Sequence, residues 1–220
     1  MNSCGSLISM EEMPVNQEKS ELEEQRKNVA TLYDEVAPLY DCLFEGKAEY
    51  QVPQVLVKTY KKYGIKSGSI LDVGCGTGKL KEYLGNIFTY EGVDISEAMI
   101  KEAEKRGFKG YVGPIEDVIE TFADKSVDHV TALSSVYFIK DFEKLVREFD
   151  RVARQSIFVS LEQFEPKIVE MMKSRGITIY NHSTASITNP TEIIKNTFLW
   201  KRPNSEDRIF GGLIFKKFSY

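Results

Sequence analysis

The sequence contains few of the residues that metal, disulfide or proton-transfer sites require. Only two histidines and three cysteines occur in 220 residues, and the cysteines (Cys4, Cys42 and Cys75) lie far apart. An odd number of widely spaced cysteines argues against a disulfide framework and fits a reducing compartment. The His, Cys, Asp and Glu residues show no metal-ligand spacing, so we predict no metal site.

Long apolar runs and long basic runs are also absent. No apolar stretch approaches the roughly 18 residues of a membrane-spanning helix, and no basic and apolar segments typical of a signal peptide open the chain. No run of Lys and Arg exceeds two residues and the formal net charge is −4, which gives no electrostatic reason to expect a nucleic-acid partner. We expect a cytoplasmic protein, a monomer or a homodimer, that binds neither nucleic acid nor membrane.

The N-terminal part changes from an irregular to a helical pattern. Residues 1–19 are polar and lack a hydrophobic period, so we predict a disordered tail. Ser20-Glu21-Leu22-Glu23 fits a capping box, which predicts a helix that begins there and runs to Val36, before Pro38. A second helix is predicted from Pro53, with Gly64 at its C-cap.

Strands and helices then alternate through the middle of the chain. The predicted strands are Ser69–Val73, Phe88–Val93, Phe108–Val112, Val127–Leu133 and Ser156–Leu161. A helical stripe formed by Phe142, Leu145, Val146, Phe149 and Val152 separates the last two. This alternation indicates a parallel, doubly wound sheet, whose ligand should lie at the carboxyl ends of its strands.

The last part of the chain has a different pattern. Ile177–Tyr180, Thr197–Lys201 and Ile209–Lys216 are extended segments without full helices between them, and residues 203–207 carry a loop signal. We predict that the last two segments form an antiparallel pair that closes one edge of the sheet.

A glycine-rich turn follows the first predicted strand. Gly74, Gly76 and Gly78 stand at alternate positions, and glycine lets backbone approach a ligand where a Cβ would collide. Asp94, at the tip of the second strand, is placed to accept both hydroxyls of a ribose. Together, the turn and the acid predict a cofactor that contains adenosine.

Two classes of adenosine cofactor compete for this site. The dinucleotide fingerprint G-x-G-x-x-G requires a glycine where Lys79 stands. Asp72, two residues before the first glycine, suits a cofactor with an ammonium group and would repel a pyrophosphate. Both residues favour S-adenosylmethionine over NAD.

Three stretches resemble a known family. Leu71-Asp72-Val73-Gly74-Cys75-Gly76-Thr77-Gly78 closely resembles the first motif of class I S-adenosylmethionine-dependent methyltransferases, and residues 91–100 resemble the second strand and the helix after it. Tyr33-Asp34 and Tyr40-Asp41 resemble the N-terminal lid of the small-molecule branch (methyltransferase type 11/25-like).

The resemblance implies a Rossmann-like, doubly wound, seven-stranded sheet, mostly parallel with an antiparallel C-terminal edge. Residues 20–220 would form one domain. It would consist of N-terminal lid helices (20–64), a cofactor-binding core (65–162) and a C-terminal sheet edge with acceptor-side elements (163–220).

The resemblance also implies roles for individual residues. The glycines would cradle the cofactor, Asp72 would face its methionine end, and Asp94 would hold the ribose. Ile95 and Met99 would flank the adenine, although Met99 fits a core role nearly as well. The whole implied cofactor set is Tyr33, Tyr40, Asp72, Gly74, Cys75, Gly76, Gly78, Asp94, Ile95, Met99, Ile115, Glu116, Leu133 and Ser134.

Two of the places where the chain departs from the family pattern bear on the site. Pro114 stands where the family commonly has an acid that binds the adenine amino group. The N–H of Ile115 is still available there, and Glu116 or Asp117 would replace the acid, with Glu116 preferred. Tyr137 and Phe138 stand where many relatives carry a histidine pair, which excludes a histidine base at that position.

The catalytic candidates are therefore tyrosines. Tyr33, Tyr40 and Tyr137 are expected near the transferred methyl group, with Tyr137 and Tyr40 as the catalytic candidates. His129 lies in a predicted buried strand, where a structural role is expected. His182 is left open between the surface and an acceptor pocket.

The predicted function is SN2 methyl transfer from S-adenosylmethionine to a nitrogen or oxygen of a small-molecule acceptor, such as a metabolite or a natural product, with S-adenosylhomocysteine as the product. The alternatives are a peptide or protein side-chain methyltransferase, an NAD-type oxidoreductase, and a non-catalytic binding protein with the same fold.

Overall fold

A computed structural model describes residues 15–44, 52–162, 164, 166–182, 193–194, 199–201 and 208–216. The described helices are α1 (Val15–Val36), α2 (Tyr40–Phe44), α3 (Val52–Lys62), α4 (Leu80–Leu84), α5 (Glu97–Lys105), α6 (Ile115–Val118), α7 (Phe142–Val152) and α8 (Pro166–Ser174). The described strands are β1 (Gly68–Val73), β2 (Phe88–Asp94), β3 (Lys109–Val112), β4 (Val127–Ala132), β5 (Ala153–Glu162), β6 (Ile193–Ile194), β7 (Leu199–Lys201) and β8 (Arg208–Lys216).

All the described strands join one sheet. Its order is β3-β2-β1-β4-β5-β8-β6, with β7 paired to β8. The five strands β1 to β5 run parallel to one another, which gives the α/β Rossmann-like arrangement that the alternating pattern predicts. In register, Val73 lies opposite Val93 and Ala132, so β1, β2 and β4 end together at one edge.

The C-terminal strands differ from the prediction in number. β8 runs antiparallel to β5, β6 and β7, and the described residues contribute eight strands to the sheet rather than seven. Ile177–Tyr180, predicted as extended, is not a strand. This segment instead packs beside the turn after β4, where the N–H of Tyr180 donates to the carbonyl of Tyr137 at 2.8 Å.

The sheet is covered by helices on both faces because neighbouring strand residues point in opposite directions. On one face, Leu71 of β1 belongs to a core cluster with Phe142 and Phe149 of α7. On the other face, Ile70 belongs to a cluster with Leu56 of α3 and residues of α4 and α5. Two apolar layers thus hold the strand ends in a fixed arrangement.

The N-terminal helix begins earlier than predicted. α1 starts at Val15 rather than at Ser20, so Ser20 lies inside the helix and cannot cap it. The helix ends at Val36, as Pro38 predicts, and a short 3₁₀ turn, Ala37–Leu39, leads into α2. The other residues of the predicted tail lie outside the described part of the chain. None of the described helices combines the length and the apolarity that crossing a bilayer would require.

Both histidines pack against aromatic rings and lie within hydrogen-bond distance of neighbouring oxygen atoms. His129 is fully buried in β4, its Nδ1 lies 2.8 Å from Ser156 Oγ, and its ring packs against Tyr60. The Nε2 of His182 lies 3.1 Å from the carbonyl of Val136, and its ring stacks on Phe142. Burial lowers the pKa of both histidines.

Candidate functional site

A cavity of about 890 Å³, including the space at its open mouth, lies where β1, β2 and β4 end. Helix α1 covers it, and the turns after the three strands form its floor. The predicted residues in its lining are Tyr33, Tyr40, Gly74, Gly76, Asp94, Ile95, Met99, Ile115, Glu116, Leu133 and Ser134.

The three glycines of the turn meet three different constraints. Each has a positive φ, which favours glycine. A Cβ on Gly74 would lie 2.3 Å from Ser135 Cβ, and one on Gly78 would lie 2.9 Å from the ring of Phe108. Only Gly76 has open space at that position, with nothing within 4 Å, and it lines the cavity.

Asp94 links the turns after β1 and β2. Its Oδ2 accepts the N–H of Gly76 and its Oδ1 accepts the N–H of Ser96, both at 2.9 Å. Burial raises the pKa of this carboxyl to about 6, although the backbone N–H groups act in the opposite direction. An ionised carboxylate has lone pairs beyond these two bonds, so Asp94 can accept further donors from the cavity.

Asp72 lies beneath the glycine turn rather than in the cavity lining. Its side chain is buried, and Thr131 Oγ1 donates to its Oδ1 at 2.7 Å. The pKa of Asp72 is raised to about 7, mainly by burial and also by the nearby negative charge of Asp94. The methionine-end role predicted for this acid therefore needs action through the turn or through water.

Cys75 and Gly78 also lie outside the lining. The Cys75 sulfur lies 2.7 Å from where a Cβ on Gly92 would stand. The Cys75 side chain therefore points into the core beside β2, and burial raises the pKa of its thiol. Gly78 allows close packing against Phe108 and Ala103. The contribution of these two residues to the site is the shape of the turn.

Aromatic rings close one end of the cavity. Tyr33 lies at the centre, with its ring 6.2 Å from that of Tyr40 and 5.9 Å from that of Phe138, in tilted and edge-on arrangements. All three residues line the cavity. Aromatic faces attract cations, so this end suits a positively charged group.

Tyr137 lies behind this aromatic end and outside the lining. It is buried, and its ring packs 4.6 Å from that of Phe164. Burial raises the pKa of Tyr137 well above its usual value, and the nearby Tyr33 and Glu162 contribute in the same direction. The phenol is therefore protonated at neutral pH.

Ser134 connects the aromatic end to β5. Its φ of 55° is unusual for a residue other than glycine. The conformation is held by a hydrogen bond from its N–H to Ser160 Oγ at 2.7 Å and by another from its Oγ to the carboxylate of Glu162. Strained backbone of this kind is often found at functional sites.

The opposite end of the cavity lies beside α6. Ile115 and Glu116 line it, whereas Asp117 does not, which makes Glu116 the better placed of the two acids. Arg26 of α1 also lines this end. Its guanidinium nitrogens lie 3.5 Å from a carboxylate oxygen of Glu116 and 3.2 Å from one of Asp117. Met99 is almost fully buried and still reaches the lining.

Several lining residues were missed by sequence reasoning. The missed residues are Leu22, Gln25, Arg26, Val29, Val73, Val93, Gly113, Pro114, Ser135, Val136 and Ile139. The four on α1 and Tyr33 follow one another at steps of 3, 1, 3 and 4 residues, a helical period that could have identified them. Two of those four are polar, which obscured the pattern.

A metal centre finds no support in the part of the chain that the structure describes. There, no group of three or more His, Cys, Asp and Glu side chains is arranged to hold an ion.

Comparisons with known proteins agree with this geometry. Residues 71–159 match the model of a methyltransferase domain family. The chain is 32% identical over 170 residues to MJ1123 of Methanocaldococcus jannaschii, covering 74% of this chain and 78% of that protein. It is also 35% identical over 75 residues to a dTDP-3-amino-3,6-dideoxy-alpha-D-glucopyranose N,N-dimethyltransferase of Streptomyces fradiae, covering 33% of this chain and 29% of that protein.

A second relative is matched over a smaller share of its length, and a solved structure has a similar fold. The chain spans about half (51%) of the length of a second M. jannaschii protein, MJ1252. Magnesium protoporphyrin IX methyltransferase from Synechocystis PCC 6803, solved with bound S-adenosylhomocysteine, has a similar fold at a TM-score of 0.55 and 19% identity, covering 74% of this chain and 82% of that one.

Replacing Asp72 by Asn should stabilise the ligand-free protein at high pH. The pKa of Asp72 is about 7 in the folded protein against an ordinary value of 3.8 for an exposed aspartate, so the folded state holds a proton that the unfolded chain releases between these pH values. Wild-type stability therefore falls as pH rises from about 4 to about 7. At pH 8, Asp72→Asn should raise the free energy of unfolding by up to about 4 kcal/mol, because each unit of pKa difference corresponds to about 1.4 kcal/mol.

Urea unfolding of both proteins from pH 4 to pH 8 measures this effect. The two stabilities should converge near pH 4. A gap that is the same at every pH would show that ionisation of Asp72 does not cause it.

Proposed function

The chain belongs to the class I S-adenosylmethionine-dependent methyltransferases, and on that basis we propose that it transfers a methyl group to a nitrogen or oxygen atom of a small-molecule acceptor. The observation that carries the cofactor assignment is the carboxylate of Asp94. It faces the cavity with both oxygens oriented by backbone N–H groups, beside the open space at Gly76.

The remaining lining residues fit this cofactor. Asp94 would accept the ribose hydroxyls, and Gly76 would leave room for the sugar and the chain beyond it. Ile95, Met99 and Ile115 would enclose the adenine, with Glu116 as acceptor for its amino group. Tyr33 and Tyr40 would lie near the methionine end, and Asp72 would add negative charge from beneath the turn.

Methyl transfer depends mainly on positioning. S-adenosylmethionine supplies a methyl group on a sulfonium, which is an activated donor. Alignment of an acceptor with that methyl group and exclusion of water then account for much of the acceleration. The rings of Tyr33, Tyr40 and Phe138 are placed to attract positive charge and to exclude water at this end.

The described residues that line the acceptor end of the cavity include no strong base. Burial raises the pKa of Tyr137 above the already high value of a phenol, so we assign it a positioning role in which its protonated hydroxyl donates a hydrogen bond. The two histidines lie outside the cavity lining. This arrangement favours acceptors that are already nucleophilic, such as neutral amines, or that lose their proton to water.

The cover that α1 forms over the cavity supports a small acceptor. Helix α1 lies over the strand ends, and the lining is largely apolar apart from Gln25, Arg26, Asp94, Glu116 and the two serines after β4. A relative in S. fradiae has a name that describes methylation of an amino sugar, which is consistent with a small acceptor for this chain. A cytoplasmic location, and a monomeric or homodimeric state, stay predictions of the sequence.

Replacing Asp94 by Ala should weaken S-adenosylmethionine binding more than tenfold. The change leaves the ribose hydroxyls without a charged acceptor, and hydrogen bonds to charged groups contribute about 1.5–3 kcal/mol. Isothermal titration measures the affinity, with Glu97→Ala as the matched control because Glu97 is an exposed acid in the next turn of chain. Unchanged affinity in Asp94→Ala would place the cofactor elsewhere, and tight NADH binding by the wild type without S-adenosylmethionine binding would favour an oxidoreductase.

A labelled-methyl assay should separate the classes of acceptor. With S-adenosylmethionine that carries a radioactive methyl group, we expect incorporation into amines or hydroxyl compounds of a metabolite panel and none into intact proteins or peptides. The Asp94→Ala variant is the control for enzyme-dependent transfer. Incorporation into protein alone would support a side-chain methyltransferase, and no incorporation despite cofactor binding would support a non-catalytic protein.

Replacing Tyr137 by Phe should lower kcat about three- to tenfold without changing the shape of the pH–rate profile. The reason is that a phenol with a strongly raised pKa contributes one hydrogen bond, worth about 0.5–1.5 kcal/mol, and no ionisation near neutral pH. Steady-state rates from pH 6 to pH 9.5 check this expectation. Loss of an ionisation from the profile of the variant would instead identify Tyr137 as a base.

A further inference from the structure

In the repeated Tyr-Asp pair of the N-terminal segment, the tyrosines and the aspartates have different contacts. Tyr33 and Tyr40 line the cavity. Asp34 and Asp41, the residues that follow them, are absent from the lining and contact the two turns that hold Asp94. From here on, the term lid means the segment Val15–Phe44, and not the whole of the predicted lid helices (20–64).

Asp34 attaches the lid to the turn after β2. Its Oδ1 accepts the hydroxyl of Ser96 at 2.6 Å and the N–H of Ala98 at 3.0 Å. Ser96 is fully buried and is the N-cap of α5, since its Oγ also accepts the N–H of Met99. The same residue donates its own N–H to Asp94.

Asp41 attaches the lid to the glycine turn after β1. Its Oδ1 accepts the hydroxyl of Thr77, a buried residue, at 2.7 Å. Its other oxygen accepts a hydrogen bond from Arg106. Arg106 also donates to the carbonyl of Thr77 at 2.7 Å, so the aspartate and the arginine hold this turn together.

These contacts form a closed ring of bonds around Asp94. Asp41 holds Thr77, whose neighbour Gly76 donates to one oxygen of Asp94, and Asp34 holds Ser96, which donates to the other oxygen. We propose that Asp34 and Asp41 are positioning residues of the cofactor site, which couple docking of the lid to the orientation of the Asp94 carboxylate. The inference rests on the proposed function in taking S-adenosylmethionine as the ligand of Asp94.

Coupling of this kind acts in both directions. A lid that is docked fixes the two turns and holds Asp94 ready to accept hydroxyl groups. By thermodynamic reciprocity, a cofactor that binds Asp94 must then favour the docked lid by the same factor. The cofactor would therefore close the cavity over itself although the aspartates never touch it.

The test combines cofactor affinity with hydrogen exchange of the lid. Asp34→Ala and Asp41→Ala should each weaken S-adenosylmethionine binding about tenfold, because each loses hydrogen bonds to a charged group. Asp34→Asn and Asp41→Asn should recover part of the loss. In the cofactor-free protein, lid amides should exchange faster in both Ala variants, and added cofactor should protect them less than in the wild type.

Two further variants test whether the effect passes through the ring of bonds. Thr77→Val removes the same hydrogen bond as Asp41→Ala from the other side, so it should weaken binding similarly and add little to Asp41→Ala. In an Asp94→Asn background, Asp34→Ala and Asp41→Ala should weaken binding less than twofold further. Glu35→Ala is the control, since Glu35 is the exposed acid next to Asp34.

The outcomes are distinguishable. If the Asp34 and Asp41 variants bind the cofactor as Glu35→Ala does, or if their losses add fully to that of Asp94→Asn, the coupling is overturned. If Asp94→Ala itself binds normally, the cofactor assignment fails. Faster lid exchange in the cofactor-free Ala variants would then still show that the two aspartates hold the lid. Unchanged exchange in variants that remain folded by circular dichroism would overturn the docking role.

Discussion

The N–H groups of Gly76 and Ser96 each donate to one oxygen of Asp94 at 2.9 Å, and the spacing of the first two βα turns depends on this pair of bonds. The turn after β1 is tied to β2 a second time, since the N–H groups of Gly74 and Cys75 both donate to the carbonyl of Val93. Because β1 and β2 end in register, the carboxylate lies where both strands stop. The cavity floor and the start of α5 are bonded directly to this carboxylate, and the lid contacts the two turns that hold it.

This arrangement places the buried carboxylate of Asp72 close to the partly buried carboxylate of Asp94. Burial raises the pKa of Asp72 to about 7 and that of Asp94 to about 6, and the charge of Asp94 contributes to the shift of Asp72. Such groups lower the stability of the ligand-free fold at neutral pH. A bound cation would relieve the repulsion, so the same charges that destabilise the empty site favour a cofactor with a sulfonium and an ammonium group. The two carboxylates thus lower the stability of the ligand-free fold and strengthen cofactor binding, a trade-off that is common at functional sites.

The sequence predicts best those elements whose signals are local and repeated. The apolar stripe of Phe142 to Val152 matches the bounds of α7, and all five stripe residues are buried. The strands β1, β2, β4 and β5 are largely buried runs that end in turns, whereas β3 is only partly buried. The placement of Asp94 at the cavity could be predicted because it ends the second of these strands. Where a pattern of hydrophobic burial is long enough, tertiary contacts have little room to override it.

The sequence fails where the determining contact is distant along the chain. The capping box at Ser20 is a local pattern, yet α1 extends to Val15, and Glu18 on the added turn pairs with Lys140 far along the chain. Gln25 and Arg26 look like solvent-exposed helix residues. They line the cavity because Gln25 donates to the carbonyl of Phe138 at 3.1 Å and Arg26 pairs with α6. Neither partner can be identified from the sequence of α1.

The break in the lid explains how one repeated dipeptide can contact two different turns. In an unbroken helix, residues seven apart lie on the same face about 10.5 Å apart along the axis. Asp34 and Asp41 would then project side by side from one rod. The 3₁₀ turn at Ala37–Leu39, which contains Pro38, separates them and starts a new helix at Tyr40. Asp34 can therefore reach the start of α5 while Asp41 reaches the glycine turn, so the proline that ends α1 is also what allows the lid to hold both sides of Asp94.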